Sequence, residues 1–149
     1  MKTWKIMVLL SYISIASASA AIITPALPLI QSLFGIKHGE VEWVMSVFLI
    51  GYVLGQVIYG PLANMLGRLK ALRIGLIINL LGIIICLIST ISLNFYWLLF
   101  GRLITALGAS SGLACTFMLL NESVSEGRAK HALSFAAVSF TVGIGGAVL

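Results

Sequence analysis

The chain has 149 residues, of which 60% are hydrophobic and only 9% are charged, and its mean hydropathy is +1.14. Soluble domains contain about 25% charged and roughly 45–50% apolar residues, so this composition excludes an ordinary water-soluble core. The net charge of +5 does not indicate a nucleic-acid partner, because the basic residues fall in short gaps between apolar runs.

Five apolar runs are long enough to cross a bilayer as helices, which requires about 20 residues each. We predict spans at residues 6–30, 43–63, 74–91, 95–120 and 132–149, the last one incomplete, in a single transmembrane domain covering residues 1–149. The runs are continuous and not alternating, which favours helices over the strands of a membrane barrel. The sequence therefore predicts an all-α membrane protein.

The first span has an alternative interpretation as a cleaved signal peptide. Lys2 and Lys5 precede its apolar stretch, and residues 18–20 (Ala-Ser-Ala) resemble a signal-peptidase site. Hydrophobicity resumes at once through residues 21–30, however. We favour an uncleaved helix that bends or ends near Pro25 and Pro28.

The distribution of basic residues predicts the orientation. One side of the predicted topology holds Lys2, Lys5, Arg68, Lys70, Arg73, Arg128 and Lys130, whereas the other side holds Lys37. Positive charge stays in the cytoplasm, so we predict a cytoplasmic N-terminus and external loops at residues 34–42 and 92–94.

Glycines four residues apart lie on two of the predicted spans. Gly51 and Gly55 share one face of the second span, and Gly108 and Gly112 share one face of the fourth. Such faces let neighbouring backbones approach closely, and simple helix packing is their ordinary role.

The connection between the second and third spans carries a denser pattern. Residues 60–70 read Gly-Pro-Leu-Ala-Asn-Met-Leu-Gly-Arg-Leu-Lys, with basic residues at the membrane face. A turn with cytoplasmic anchors explains the charges but not the paired glycines around an Asn. The residues that match a known loop signature in register are Gly60, Leu62, Gly67, Arg68 and Lys70.

Through this signature the segment resembles the major facilitator superfamily. The Pro-Ala-Leu-Pro at residues 25–28, the Gly-Tyr at residues 51–52 and the region around Arg102 and Ala106 are similar to the drug:proton antiporters of the bicyclomycin/chloramphenicol-resistance branch. Gly143, Gly145 and Gly146 resemble the beginning of an antiporter signature on the fifth span.

The resemblance implies the N-terminal part of a transporter that exports drugs or other small amphipathic compounds across the bacterial inner membrane. A proton gradient would supply the energy, no cofactor is expected, and no enzyme chemistry is visible. The first, second, fourth and fifth spans would line a polar path, with the third outside. A second polypeptide or an oligomer would supply the missing half. The alternatives are a non-transporting remnant and a small helical partner subunit, and import in place of export stays open.

Three polar residues within the spans are candidates for the transport path: Arg102, Gln56 and Thr105. A charge inside a span is costly, so Arg102 either faces a cavity or extends its side chain to the interface. The resemblance implies a role for Arg102 in proton transfer, and a cytoplasmic gate at residues 60–70. This chain departs from the family pattern at Asn64, where the loop signature has Asp, and at Thr105, where the signature of the fourth span has Gln.

Overall fold

A computed structural model describes residues 23–123, with side chains described as far as residue 119. Most of the predicted first span and all of the fifth lie outside these residues. So do Gly143, Gly145, Gly146 and the alternative cleavage site after residue 20.

Every element in residues 23–123 is a helix. The helices are α1 (Leu27–Phe34), α2 (His38–Val41), α3 (Trp43–Leu66), α4 (Arg68–Ser92) and α5 (Phe95–Ser123). Three segments, His38–Leu66, Arg68–Ser92 and Phe95–Leu119, are long and apolar enough to cross a membrane. The second, third and fourth predicted spans correspond to α3, α4 and α5, and the predicted all-α fold class is confirmed.

Helix α1 begins and ends at residues suited to those positions. Pro28 lies in its first turn, where a missing backbone N–H costs no hydrogen bond. The helix stops at Gly35, which has a left-handed φ of 63° and whose N–H donates to the Gln31 carbonyl. Within the predicted external loop at residues 34–42, the short helix α2 starts where the Glu40 carboxylate accepts the Lys37 N–H at 2.8 Å.

The connection between α3 and α4 is shorter than the sequence suggested. Helix α3 continues through Pro61 to Leu66, and α4 begins at Arg68 where we predicted the span to begin at residue 74. Only Gly67 separates them, with a φ of 88° that favours glycine. The cations of residues 68–73 therefore lie on the first turns of a helix that extends beyond its apolar part.

The turn from α4 to α5 is built around Asn94. Its side-chain oxygen accepts the Tyr96 N–H at 3.1 Å, which caps the start of α5, and its carbonyl accepts the Ser89 hydroxyl at 3.1 Å. Leu93, the residue directly after α4, has a left-handed φ of 48°. The two long helices thus reverse direction through a hydrogen-bonded turn of two residues.

Helix α5 lies between α3 and α4 and packs against both, while α3 and α4 touch each other less. In the most apolar 18-residue stretch of α5, 61% of the residues are buried. The corresponding shares are 28% for the segment that contains α3 and 17% for α4. The outer faces of α3 and α4 present large apolar side chains such as Val57 and Leu80. This inside-out distribution is what a helix bundle in lipid requires.

Candidate functional site

The contact between α3 and α5 is made through the glycine face predicted on the second span. A Cβ atom on Gly51 would lie 3.0 Å from the Leu103 carbonyl oxygen and 3.1 Å from the Ala106 Cβ. A Cβ atom on Gly55 would collide with the Ser110 side chain. These two glycines therefore let α5 approach the backbone of α3.

The contact between α4 and α5 is closer still. A Cβ atom on Gly108 would collide with the backbone of Asn79 and lie 2.6 Å from the Gly75 carbonyl oxygen. At the same crossing the Asn79 side-chain amide donates to the Thr105 carbonyl at 3.1 Å. Glycine packing and one interhelical hydrogen bond hold these helices in register, and Gly112, also predicted as a packing residue, is buried on α5.

The buried face of α5 carries an unusual number of polar side chains, namely Arg102, Thr105, Ser110, Ser111 and Thr116. Three of their hydroxyls donate to carbonyls of α5 itself, at 2.7–2.8 Å. Such bonds satisfy a hydroxyl in an apolar environment without help from another helix. Arg102 differs from these residues because its charge requires more than a local bond.

Arg102 is only 5% exposed and reaches across to α3. Its guanidinium carbon lies 4.4 Å from the centroid of the Phe48 ring, in cation–π geometry. The Cys86 thiol of α4 lies beside Gly101, the residue before Arg102, where an added Cβ atom would come within 2.7 Å of the sulfur. Arg102 is thus positioned where the three long helices meet.

A cavity of about 620 Å³ lies beside Arg102, between α1, α4 and α5. Arg102 and Thr105 contribute to it from α5, and Cys86 and Thr90 contribute from α4. The other described lining residues are apolar: Ile23, Ala26, Leu29, Ile30, Leu33, Phe34, Ile83, Leu87 and Leu98. Its volume falls in the range of roughly 300–1,000 Å³ typical of small-molecule sites.

The structure separates the candidates for the transport path. Arg102 and Thr105 line one cavity, but Gln56 is half-buried on α3 beside Tyr52 and is not among the described lining residues of that cavity. Helix α4, which corresponds to the third predicted span, forms one wall of this cavity.

The signature residues of the α3–α4 connection gather at the opposite end of α4 from Asn94. Asn64, Gly67, Arg68 and Lys70 line a second cavity of about 500 Å³, together with Leu119 of α5. Leu62 packs against a buried cluster of Tyr59, Ala63, Ala71, Leu72 and Cys115. A Cβ atom on Gly60, by contrast, would have the Met118 methyl as its one described neighbour from another helix, at 3.9 Å.

Two residues of the site did not stand out in the sequence as parts of it. Phe48 and Cys86 have no local signal, since an aromatic ring or a thiol in an apolar span is ordinary. Asn79 is visible as a polar residue within a span, a position that usually makes an interhelical hydrogen bond. Helical spacing then places it on the α4 face that also carries Gly75 and Gly82.

A bundle of long apolar helices, closely packed through glycine and carrying a buried cation beside a cavity, is that of an integral membrane protein. The family model of the Major Facilitator Superfamily matches residues 9–149. The chain therefore belongs to the major facilitator superfamily. No solved structure matches the chain at a significant level.

The similar proteins include sugar transporters and a drug-resistance protein. The D-xylose transporter of Levilactobacillus brevis is 34% identical over 65% of this chain and 21% of its own length. The galactose-proton symporter of Escherichia coli K12 is 32% identical over 86% of this chain and 27% of its own length. The quinolone resistance protein NorB of Staphylococcus aureus is 31% identical over 72% of this chain and 23% of its own length.

The aligned part of this chain thus spans only 21–27% of the length of these relatives. They do not single out the bicyclomycin/chloramphenicol-resistance branch, which the sequence resembled.

Proposed function

We propose that this chain is the N-terminal part of a transporter that moves drugs or other small amphipathic compounds out of a bacterial cell, driven by the proton gradient. It lies in the inner membrane with its N-terminus in the cytoplasm. A second polypeptide or a further copy supplies the other half of the transport path. Membership of the superfamily supports transport in general.

The mainly apolar lining of the 620 Å³ cavity is the observation that supports an amphipathic cargo. Its described lining is apolar apart from Arg102 and the polar groups of Cys86, Thr90 and Thr105. Both threonine hydroxyls donate to carbonyls of their own helices, Thr90 to Cys86 at 3.0 Å and Thr105 to Gly101 at 2.8 Å. A compound with a large apolar body therefore fits this lining well.

Sugar–proton symport is the second candidate, and the xylose and galactose transporters among the relatives favour it. A sugar needs several hydrogen-bond donors and acceptors, because burying an unbonded hydroxyl costs on the order of 1–3 kcal/mol. The described cavity lining offers few. We therefore rank sugar transport behind amphipathic efflux.

The residues around Gly67 act as the cytoplasmic gate in this proposal. Asn64, Arg68 and Lys70 share a cavity wall at the end of α3 and the start of α4. A change in packing between these two helices would open or close that end. Arg102, placed deeper, would influence the charge of a proton or cargo passing it, since an arginine itself keeps its proton.

Everted membrane vesicles test the proposal. Vesicles from cells expressing the gene for this chain should accumulate an amphipathic fluorescent dye when respiration generates a proton gradient, and an uncoupler should reverse the accumulation. Arg102→Met should abolish it, whereas Arg73→Gln, which removes an exposed cation on α4, should not. Proton-dependent uptake of xylose or galactose without dye transport would favour the symporter. A stable protein that moves neither would favour a remnant or a partner subunit.

A further inference from the structure

We propose that the cavity between α1, α4 and α5 is a binding site for an amphipathic anion, with the acidic group at Arg102 and the apolar body along α1 and α4. As a statement about cargo this rests on the proposed function. As a statement about binding it stands on the cavity alone.

Charge complementarity indicates that the ligand of this cavity is an anion. Arg102 is the one charged side chain among the described lining residues, and that lining contains no acidic side chain. A guanidinium is a permanent cation that forms charge-assisted hydrogen bonds with carboxylate and phosphate groups. In an apolar wall this attraction is stronger than in water, because the effective dielectric constant is lower.

The shape of the cavity selects an amphipathic ligand and excludes a small polar anion. Between Arg102 and the outer rim the described wall consists mainly of aliphatic side chains from α1 and α4. The rim residues Leu29, Leu33 and Leu87 are exposed, so the cavity opens sideways between the two helices. A ligand entering there passes apolar surface before it reaches the cation. The buried polar end and exposed apolar mouth match a molecule with one acidic head and a hydrophobic body.

A free carboxylic acid and an anionic membrane lipid share this chemistry. Both present an acidic head on an apolar chain, and the sideways opening gives access from the bilayer. Two lipid compositions therefore belong in the experiment, one without anionic lipid and one with it.

The test uses the purified chain in phosphatidylcholine nanodiscs and a fatty-acid analogue with a photoreactive diazirine in its chain. Illumination should attach the probe to peptides containing residues 26–34 or 83–90. Excess dodecanoate should remove this labelling, whereas dodecyltrimethylammonium, with the same chain and a cationic head, should not. Labelling elsewhere only, or equal competition by the two amphiphiles, would overturn the proposal without any mutant.

Substitutions test whether Arg102 is the cation that binds the acidic group of the probe. Arg102→Met should weaken probe binding by about tenfold or more, as expected for the loss of a charge-assisted contact, and Arg102→Lys should weaken it less. Arg73→Gln is the matched control, because it removes a cation of α4 that is exposed and outside the described lining, and it should leave binding unchanged. Equal binding by Arg102→Met, with its fold verified by circular dichroism, would contradict the proposal.

Nanodiscs containing phosphatidylglycerol identify the source of the anion. Loss of labelling there supports the site and assigns it to membrane lipid, while retained labelling supports the site and assigns it to free amphiphiles. The dye experiment is separate. Labelling at the cavity without dye transport would support the binding site and contradict the proposed function. Dye transport without labelling at the cavity would support the proposed function and contradict the binding site.

Discussion

The guanidinium carbon of Arg102 lies 4.4 Å from the centroid of the Phe48 ring, so a buried cation of α5 rests on an aromatic face of α3. A cation–π contact removed from water contributes about 2 kcal/mol. We expect Phe48→Leu to lower the free energy of unfolding by about that amount plus a packing loss, while Phe48→Tyr keeps the ring and most of the stability. Chemical denaturation in detergent micelles measures both.

A double-mutant cycle separates the contact from the packing loss. Phe48→Leu should cost less in an Arg102→Met background than in the unaltered chain, because the cation is already gone. If the two substitutions are additive, the ring and the guanidinium do not stabilise each other.

The second prediction concerns crowding at the α4–α5 crossing. A Cβ atom on Gly108 would collide with backbone atoms of Asn79, which cannot move aside as a flexible side chain does. We expect Gly108→Ala to lower the thermal midpoint in detergent by several degrees and to weaken the Asn79–Thr105 hydrogen bond nearby.

Gly39→Ala is the matched control for Gly108→Ala. Gly39 is also within a helix, α2, but a Cβ atom added there would meet no described atom of another element within 4 Å. Since alanine is the better helix former by about 1 kcal/mol, this substitution should leave the midpoint unchanged or raise it. An equal decrease in the thermal midpoint for both substitutions would show that the close crossing does not explain the need for glycine at residue 108.

These contacts also show which features of the structure could be predicted from the sequence alone. Apolar length and glycine spacing were enough to place α3, α4 and α5 and to predict the packing face at Gly51 and Gly55. The junction at Gly67 was not predictable, because charges in the first turns of α4 look like a loop when hydropathy is the guide. The cavity beside Arg102 depends on how α1 lies against α4, and no local pattern encodes that distance.

The third prediction uses the left-handed residue at the end of α4. Leu93 has a φ of 48°, a conformation that costs a non-glycine residue roughly 1 kcal/mol. Leu93→Gly should therefore raise the free energy of unfolding by up to about that amount. Ile91→Gly is the control, because Ile91 is equally an exposed aliphatic residue but lies inside the helix, and glycine there should destabilise by about 1 kcal/mol. The same sign for both changes would contradict the assigned backbone conformation.

The fourth prediction tests the gate. Asn64 is exposed and shares a cavity wall with Arg68 and Lys70, so Asn64→Asp places an anion beside two cations. We expect the added attraction to hold α3 and α4 together more firmly and to lower the rate of dye transport in vesicles. The effect should shrink at high salt, because screening weakens exposed ion pairs. Asn64→Ser is the neutral control, and transport kinetics identical to the unaltered chain in both variants would argue against a gating role.

The fifth prediction concerns which side of the membrane each end of α4 faces. A helix of 25 residues is about 37 Å long, which exceeds the roughly 30 Å of hydrocarbon in a bilayer, so its two ends emerge on opposite sides. Lys70 lies near the start of α4 and Tyr96 just beyond its end, and both are exposed.

In a background in which Cys86 and Cys115 are replaced by Ala, a membrane-impermeant maleimide added to intact cells should label Tyr96→Cys and leave Lys70→Cys unmodified. Opening the cells should make Lys70→Cys reactive, which controls for a thiol that is simply unreactive. Labelling of Lys70→Cys from outside would reverse the proposed orientation, because the cations of residues 68–73 would then lie on the external face, against the tendency of positive charge to remain in the cytoplasm.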